Sequence, residues 1–249
     1  MTGKPVNGIN GRKARILVVD DHPLVRAGLF QVINLENDLE CCGQADSQDL
    51  ALSAVETCKP DLVTIDIRLR KGDGLNLIKA INAQYPSLPT LVISQCDESL
   101  YAERALKAGA RGYLMKERAT GEVIAAIRTV LKGGVFVSPQ IAAIALEKLV
   151  GGKTAKQDDH AINTLTNREL QIFQLLGSGL STRKIAEKLF LSVKTVEAHR
   201  EHIKHKLGLS NAAELNRYSA EWVNGLSPHL LPGSLESGAT QPLTGPPMN

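Results

Sequence analysis

Short apolar runs alternate with longer helical patterns through the first half of this chain, and this alternation restricts its fold more than any other feature. Three of the runs are continuously apolar rather than alternating, which indicates strands buried on both faces. Strands separated by helices predict a parallel sheet that is covered by helices on each side. The predicted strands lie at 16–19, around 40–44, and at 62–65, 90–93 and 112–115, and the predicted helices at 23–34, 47–58, 74–84, 98–108 and 119–131.

A second region of a different kind follows the glycine pair at Gly133 and Gly134. One more helical stretch, 141–150, leads into a polar segment at 151–159, whose composition is typical of a linker. Beyond it the apolar residues recur at helical spacing, which predicts four short helices. These lie at 167–176, 182–190, 193–207 and 212–223.

These patterns divide the chain into domains. We predict a five-stranded, parallel, doubly wound α/β domain at residues 14–134 and a linker with one helix at 135–161. An all-α domain of four helices follows at 162–224. The tail at 225–249 contains five prolines and four glycines with little charge, so we expect it to be disordered.

The distribution of charge differs between the two predicted domains. The formal net charge of the chain is only +3, which does not by itself indicate a nucleic-acid partner. In residues 1–135 the numbers of basic and acidic residues are nearly equal, whereas 163–218 contain nine basic and five acidic residues, so the positive excess lies in the all-α part.

Three features of the sequence bear on where the protein is found. No uncharged apolar run is long enough to span a membrane, no secretory signal is recognisable and the four cysteines form no C-x-x-C pair. We therefore expect a cytoplasmic protein.

Chemically active side chains stand at the ends of the predicted strands. Because the carboxyl ends of parallel strands meet at one edge of the sheet, ligands bind there. Three carboxylates, a hydroxyl and an amine are expected to converge on this edge, from Asp20, Asp21, Asp66, Ser94 and Lys116. Clustered carboxylates repel one another unless a cation joins them, and hard oxygen ligands suit Mg²⁺. The pattern predicts a magnesium site in which Asp66 attacks a phosphoryl group that Lys116 and the ion neutralise.

This set of residues, together with Tyr113, resembles the receiver domain of two-component response regulators. The segment from Ser99 to Tyr113 is most similar to the NarL/FixJ branch of that family. The resemblance implies that a sensor histidine kinase phosphorylates Asp66. The implied Mg²⁺ ligands are Asp20, Asp21, Asp66 and the backbone carbonyl of Arg68. The implied phosphoryl-binding and switch residues are Ser94, Tyr113 and Lys116.

Two residues depart from the commonest receiver pattern. Arg70 lies where many receivers carry proline after the phospho-acceptor, and Glu117 follows Lys116 where many have proline. Neither change removes a ligand, but they leave open the geometry of the loop beside Asp66 and a cis peptide after Lys116. Rival phosphate chemistries lack their motifs, since Arg68 stands where haloacid-dehalogenase phosphotransferases need a second aspartate, and no G-x-G-x-x-G or P-loop occurs.

Capping signals define a pair of helices joined by a tight turn in the second domain. Thr166 and Glu169 form a capping box at the start of the helix at 167–176. After that helix a second one, at 182–190, ends in a tight turn at Leu191 and Ser192, and Ser192 can cap the next helix, at 193–207. Two short helices joined in this way predict a helix-turn-helix, whose second helix enters the major groove of DNA.

Residues 164–208 resemble the LuxR-type C-terminal domain, in the runs from Thr164 to Glu169 and from Ser192 to Arg200. The resemblance implies that the third of its four helices reads DNA and that the fourth, at 212–223, mediates dimerisation. The implied DNA-binding residues are Lys194, Thr195, Glu197, Ala198, Arg200, Glu201 and Lys204. Carboxylates are unusual beside a phosphate backbone, so Glu197 and Glu201 either accept from cytosine amino groups or only pair with cations on their own helix.

Together the two resemblances predict a response regulator in which phosphorylation of Asp66 by a sensor histidine kinase controls sequence-specific binding to double-stranded DNA, and thereby transcription. The expected protein is a regulator rather than an enzyme, binds Mg²⁺ and forms a homodimer when phosphorylated. Two rival functions fit the same residues. One is a phosphorylation-independent DNA-binding protein with a vestigial receiver, and the other is an adaptor that acts through protein contacts alone.

Overall fold

The structure, a computed structural model, describes residues 12–70, 72–149, 161–162 and 164–224. These residues belong to two compact units, which divide between residues 154 and 155. The polar segment predicted at 151–159 and the tail predicted at 225–249 lie outside the described residues. Within the described part of the chain, no helix is long and apolar enough to cross a membrane.

The first unit is built on a five-stranded sheet in the order β2-β1-β3-β4-β5, and every neighbouring pair of strands is parallel. This arrangement confirms the predicted parallel α/β fold. The order reverses between β1 and β3, so a crevice opens beyond the carboxyl ends of these two strands. The strands are β1 (Ala14–Val19), β2 (Leu39–Ala45), β3 (Leu62–Ile65), β4 (Thr90–Ser94) and β5 (Tyr113–Met115), and the helices are α1 (Pro23–Asn34), α2 (Gln48–Cys58), α3 (Gly74–Gln84), α4 (Glu98–Ala108), α5 (Ala119–Leu131) and α6 (Pro139–Leu149).

Both faces of the sheet are buried. Along β1, Ile16 and Val18 belong to the same apolar core as Leu29 of α1 and Ile127 of α5. Successive residues of a strand point to opposite faces, so Leu17, which is also fully buried, faces the helices on the other side. A strand that is buried on both faces has to be apolar throughout, and this explains why the runs in the sequence do not alternate.

An ion-pair network joins α5 to the segment that precedes β2. Arg128 donates to the two carboxylate oxygens of Asp38, at 2.9 and 2.6 Å, and to Glu36 at 2.6 Å. The hydrogen bonds from Arg128 lower the pKa of Asp38, although burial opposes the shift. The charged form of Asp38 therefore contributes to the stability of the fold.

Replacing Asp38 with asparagine is expected to cost only about 1 kcal/mol of unfolding free energy at neutral pH, because solvent screens this partly exposed network. Since the folded-state pKa of Asp38 is lowered, its contribution is complete above the unfolded-state pKa of about 3.9 and is lost as the pH falls through the folded-state value. Urea unfolding followed by circular dichroism should therefore show the advantage of the wild type vanishing in acid.

The control for this change is Asp49→Asn, an exposed substitution on α2. We expect it to stay within about 0.5 kcal/mol of the wild type at every pH. A penalty for Asp38→Asn that persisted undiminished in acid would contradict the role given to its charge.

Four helices follow residue 164 in the second unit, and they confirm the predicted all-α domain: α7 (Asn167–Gly177), α8 (Thr182–Leu189), α9 (Val193–Leu207) and α10 (Ala212–Val223). The capping box predicted for Thr166 and Glu169 is present. Each helix begins with a side chain that accepts a backbone N–H, namely Thr166, Ser181, Ser192 and Asn211. Only three residues separate α8 from α9, which is the turn length of a helix-turn-helix.

Four helix ends in the described part of the chain differ by one or two residues from the predicted ones. Helix α2 begins at Gln48, one residue after the predicted start, because Ser47 is its N-cap. The first helix of the second unit, α7, includes Gly177, where an added Cβ would lie 2.2 Å from the carbonyl oxygen of Ser219 on α10. At Phe190 the chain takes a left-handed φ of 53°, so α8 ends one residue early. In the first unit α6 begins at Pro139, before the predicted start, because proline is favoured in the first turn of a helix.

Candidate functional site

Three carboxylates meet at the carboxyl edge of the sheet, beside the point where the strand order reverses. Asp20 follows β1 and is 1% exposed, and Asp66 follows β3 and is 3% exposed. Asp21 is half-buried beside them. Burial raises the pKa of Asp21, His22 opposes the shift, and the two other carboxylates add to it. The site therefore concentrates negative charge that needs a cation.

Lys116 and Ser94 bind these carboxylates from the next two strands. Lys116 Nζ lies 2.6 Å from Oδ2 of Asp20 and 2.6 Å from Oδ2 of Asp66. Burial lowers the pKa of Lys116, but the two aspartates outweigh this effect, so the pKa is raised overall. Ser94 Oγ donates to Oδ1 of Asp66 at 2.6 Å. The structure thus brings together all five residues that the sequence places at this edge.

Tyr113 points into the protein rather than toward solvent. Its side chain is 1% exposed, and its hydroxyl donates to the carbonyl oxygen of Cys96 at 2.7 Å. The backbone N–H of Cys96 in turn donates to Ser94 Oγ at 3.2 Å. Burial raises the pKa of Tyr113, so the hydroxyl stays protonated and acts as a donor. A continuous chain of hydrogen bonds therefore runs from β5 to Asp66.

The loop after β3 holds Asp66 against the start of α3. The backbone N–H of Arg68 donates to Oδ1 of Asp66 at 3.2 Å. Gly74 opens α3, and a Cβ there would lie 2.1 Å from the carbonyl oxygen of Asp66, so only glycine permits this approach. The described residues contain no cis peptide, and the bond between Lys116 and Glu117 is therefore trans.

His22 belongs to this site although no motif pointed to it. Its Nδ1 lies 3.1 Å from Oδ1 of Asp20, 2.8 Å from Oδ1 of Asp21 and 3.9 Å from Oδ2 of Asp66. Its backbone N–H also donates to Oδ1 of Asp20, at 2.8 Å. The one signal in the sequence is its place directly after Asp21, at the N-cap of α1.

The donor set of this site fits a divalent cation. Asp20, Asp21, His22 and Asp66 each offer a ligand atom, and these atoms lie within 4.8 Å of one another. Oδ1 of Asp21 is buried and accepts no hydrogen bond from the described residues. A buried carboxylate oxygen without such a partner is costly unless a cation contacts it.

Four of the seven residues expected to contact DNA are exposed on α9, namely Lys194, Glu197, Ala198 and Glu201. The other three, Thr195, Arg200 and Lys204, are half-buried. The hydroxyl groups of Thr195 and Ser192 form a hydrogen bond of 2.7 Å within the cap of the helix. On the last turns Lys204 Nζ pairs with Glu201 Oε2 at 2.8 Å.

Arg200 is engaged by the neighbouring helices of its own domain. Its guanidinium donates to Oγ1 of Thr182, the first residue of α8, and to Oδ1 of Asn216 on α10. These contacts hold α9 against both helices. The DNA contact expected of Arg200 stays a prediction.

Two family descriptions match this chain. Residues 16–128 match "Response regulator receiver domain", and residues 163–219 match "Bacterial regulatory proteins, luxR family". The first match contains the carboxylate site, and the second contains α8 and α9. The two matches therefore fall on the two units of the structure.

Two relatives share the arrangement along nearly their whole length. The Oxygen regulatory protein NreC of Staphylococcus carnosus (strain TM300) is 33% identical over 208 residues, which are 82% of this chain and 96% of that protein. The protein of the same name from Staphylococcus aureus (strain bovine RF122 / ET3-1) is 35% identical over 209 residues, with the same coverage.

Solved structures show the same fold. A two-component response regulator of the LuxR family from Aurantimonas sp. SI85-9A1 is 31% identical with a TM-score of 0.52, covering 55% of this chain and 99% of that one. RcsB from Salmonella enterica serovar Typhimurium, bound to promoter rprA in the presence of the phosphomimetic BeF3-, is 22% identical with a TM-score of 0.55, covering 84% of this chain and 99% of that one. At this identity the likeness to RcsB concerns the fold alone.

Proposed function

Because this chain belongs to the response regulators that join a receiver domain to a LuxR-type DNA-binding domain, we propose that Asp66 is its phospho-acceptor. Members of the family are transcription regulators rather than enzymes, and a receiver domain takes its phosphoryl group from a sensor histidine kinase. The observation that carries the proposal is the setting of Asp66, a buried carboxylate that Lys116 and Ser94 both contact at 2.6 Å.

The proposed transfer breaks one P–N bond and forms one P–O bond. An oxygen of Asp66 attacks the phosphorus of a phosphohistidine on the kinase, and the kinase imidazole leaves with the electron pair of the P–N bond. Lys116, which lies between Asp66 and Asp20, is placed to bond the phosphoryl oxygens as charge develops on them. Ser94 can donate to the same group from β4.

We propose Mg²⁺ as the cation of this site, with Asp20, Asp21, Asp66 and the backbone carbonyl of Arg68 as its protein ligands. Bound there, Mg²⁺ supplies positive charge that offsets the repulsion between the carboxylates and an incoming phosphoryl group. The buried oxygen of Asp21 that accepts no hydrogen bond supports this assignment.

The proposed switch is a shift in the population of two arrangements of the receiver. A phosphoryl group adds about −1.5 to −2 charge at Asp66, and it favours the arrangement in which Ser94 faces it. Tyr113, linked to Ser94 through the backbone of Cys96, then stays inside the protein. The surface formed by β4, β5, α4 and α5 depends on this arrangement, so phosphorylation either releases the DNA-binding domain or makes it dimerise.

In the second domain we propose α9 as the helix that enters the major groove of double-stranded DNA. The exposed first turn and its cap on Ser192 support this role. The residues assigned to phosphates or groove are Lys194, Thr195, Arg200 and Lys204, and those assigned to base edges are Glu197, Ala198 and Glu201. The ion pair with Lys204 favours the reading in which Glu201 pairs on its own helix, so Glu197 is the stronger candidate for a cytosine amino group.

Lys194→Ala is expected to weaken binding to specific and non-specific DNA alike, because a phosphate contact carries no sequence information. The slope of log K against log salt should become shallower by about one unit. Fluorescence anisotropy with a labelled duplex over a salt series measures both effects. Lys79→Ala removes the same charge from the exposed side of α3 in the receiver, outside the surface proposed to control dimerisation, and should leave the slope as it is. A wild-type slope in Lys194→Ala would contradict the phosphate contact.

The remaining parts of the proposal follow from this assignment. We propose a receiver at 14–134, a linker at 135–161, a DNA-binding domain at 162–224 that dimerises through α10, and a cytoplasmic location. Dimerisation suits a pair of half-sites one helical turn apart on the DNA.

Genome-wide binding with and without a phosphoryl donor tests the proposed function and separates it from its rivals. We expect a limited set of sites whose occupancy rises with the donor. Occupancy that ignored the donor would indicate a vestigial receiver. An absence of binding under both conditions would indicate an adaptor that acts through protein contacts.

A further inference from the structure

We propose that His22 is a nitrogen ligand of the receiver's divalent cation. Compared with a site made of carboxylates alone, this site should therefore bind Mn²⁺, and other ions that coordinate nitrogen ligands, more tightly relative to Mg²⁺. This inference rests on the proposed cation site. It adds a residue that sets which ion the site prefers.

Two of the three distances from His22 to the carboxylates are those of ligands that share one ion. In an octahedral shell with metal–ligand bonds of about 2.1 Å, neighbouring ligand atoms lie about 3.0 Å apart and opposed ones about 4.2 Å apart. The Nδ1 atom of His22 lies 2.8 Å from Asp21 Oδ1 and 3.1 Å from Asp20 Oδ1, which is the spacing of neighbours. Its 3.9 Å distance to Asp66 Oδ2 falls between the two values. The ligand atoms of all four residues lie within 4.8 Å of one another, so a small movement of Asp66 would let one cation meet them all.

The contact between His22 and Asp21 is not explained by hydrogen bonding. Nδ1 of a histidine carries at most one hydrogen, and in His22 the contact that has the geometry of a hydrogen bond is the one with Oδ1 of Asp20. Asp21 Oδ1, although 2.8 Å from Nδ1, is buried and accepts no hydrogen bond from the described residues. A close nitrogen–oxygen pair without a hydrogen bond between them is what two ligands of one cation present.

The chemistry of imidazole then decides the preference of the site. Mg²⁺ favours oxygen donors and keeps much of its water, whereas imidazole also suits transition ions, weakly for Mn²⁺ and more strongly for Ni²⁺ and Zn²⁺. His22 is half-exposed at the mouth of the site, so its ring can adjust to an ion without disturbing the core. Replacing it should therefore act on the preference between ions more than on the fold.

In the alternative interpretation, the His22 side chain occupies the place of the metal ion beside the carboxylates, and an incoming ion must displace it. The two readings predict opposite results when His22 is removed. A displaced cation competes with every ion, so its loss would tighten the binding of Mg²⁺ and Mn²⁺ alike. If His22 is instead a ligand, removing it should weaken the binding of Mn²⁺ and leave the affinity for Mg²⁺ nearly unchanged.

The test uses full-length wild type and His22→Ala, with Mg²⁺ and Mn²⁺ affinities from calorimetry and pulsed electron paramagnetic resonance of the bound Mn²⁺. We expect ¹⁴N coupling to Mn²⁺ in the wild type and its loss in His22→Ala. The ratio of Mn²⁺ to Mg²⁺ affinity should fall by about tenfold in the variant. A wild-type spectrum without ¹⁴N coupling, an unchanged ratio, or tighter binding of both ions would overturn the proposal.

His202→Ala is the matched control. His202 lies on α9 in the one other group of described residues that could hold a metal, with Glu169 and His199. This variant should keep both the ¹⁴N coupling and the affinity ratio, and their loss would place the nitrogen outside the receiver and overturn the assignment to His22. If the wild type bound both ions and accepted phosphate at Asp66 but lacked the coupling, only the role of His22 would fail. If it bound neither ion, the proposed cation site would fail with it.

Discussion

Replacing Asp66 with asparagine is expected to abolish phosphoryl labelling of the protein, with a loss on the order of 100-fold or more. The amide has no anionic oxygen to attack phosphorus, and the residue at this position is the one that Lys116 and Ser94 both contact. Labelling by a radioactive acyl phosphate, or by a phosphorylated kinase once one is identified, measures the effect.

The geometry also predicts which variants should still be phosphorylated. Asp46→Asn, an exposed change in the loop before α2, should be labelled like the wild type. Asp20→Asn should still leave the nucleophile in place and reduce labelling only through the cation and Lys116. Label that survived in Asp66→Asn but vanished in Asp20→Asn would move the phospho-acceptor to Asp20.

The largest effect on stability is expected for Gly177→Ala in the DNA-binding domain. The new methyl group would lie 2.2 Å from the carbonyl oxygen of Ser219 and 2.5 Å from Cγ2 of Val223, so α7 and α10 must move apart. Alanine favours a helix over glycine by about 1 kcal/mol, but this gain is smaller than the cost of such overlap. We expect a net loss of about 3 kcal/mol of unfolding free energy.

Trp222 reports this loss directly. It is the single tryptophan of the chain and packs edge-on against Phe173, with ring centroids 5.5 Å apart. Urea unfolding followed by its fluorescence therefore follows the second domain. The neighbouring exposed change Ser178→Ala should stay within about 0.5 kcal/mol of the wild type. A Gly177→Ala variant as stable as Ser178→Ala would show that the two helices separate at little cost.

The parts of the structure that follow from local rules could be predicted from the sequence. The bounds of α3, α4 and α5 are the predicted ones, because capping residues or glycine mark many of their ends, such as Asp73 before α3 and Gly109 after α4. The carboxylates of Asp20 and Asp66 could be placed at one edge because every strand of a parallel sheet ends there.

What the sequence could not show depends on contacts between distant residues. Arg128 binds Asp38 across 90 positions, and no local pattern indicates that pair. Gly177 looks like a helix breaker, but its lack of a side chain serves the approach of Ser219 on α10. His22 follows Asp21 as an ordinary N-cap residue, and only the folded loop shows its ring against the carboxylates.

The most direct test of the central claim measures DNA affinity before and after treatment with a phosphoryl donor, in wild type and Asp66→Asn side by side, on a site taken from genome-wide binding. A coupling of about 1–3 kcal/mol between the two domains corresponds to tighter binding by about 5- to 150-fold. We predict a change in this range for the wild type and none for Asp66→Asn. Equal affinities of the wild type with and without phosphate on Asp66 would contradict control of DNA binding by phosphorylation.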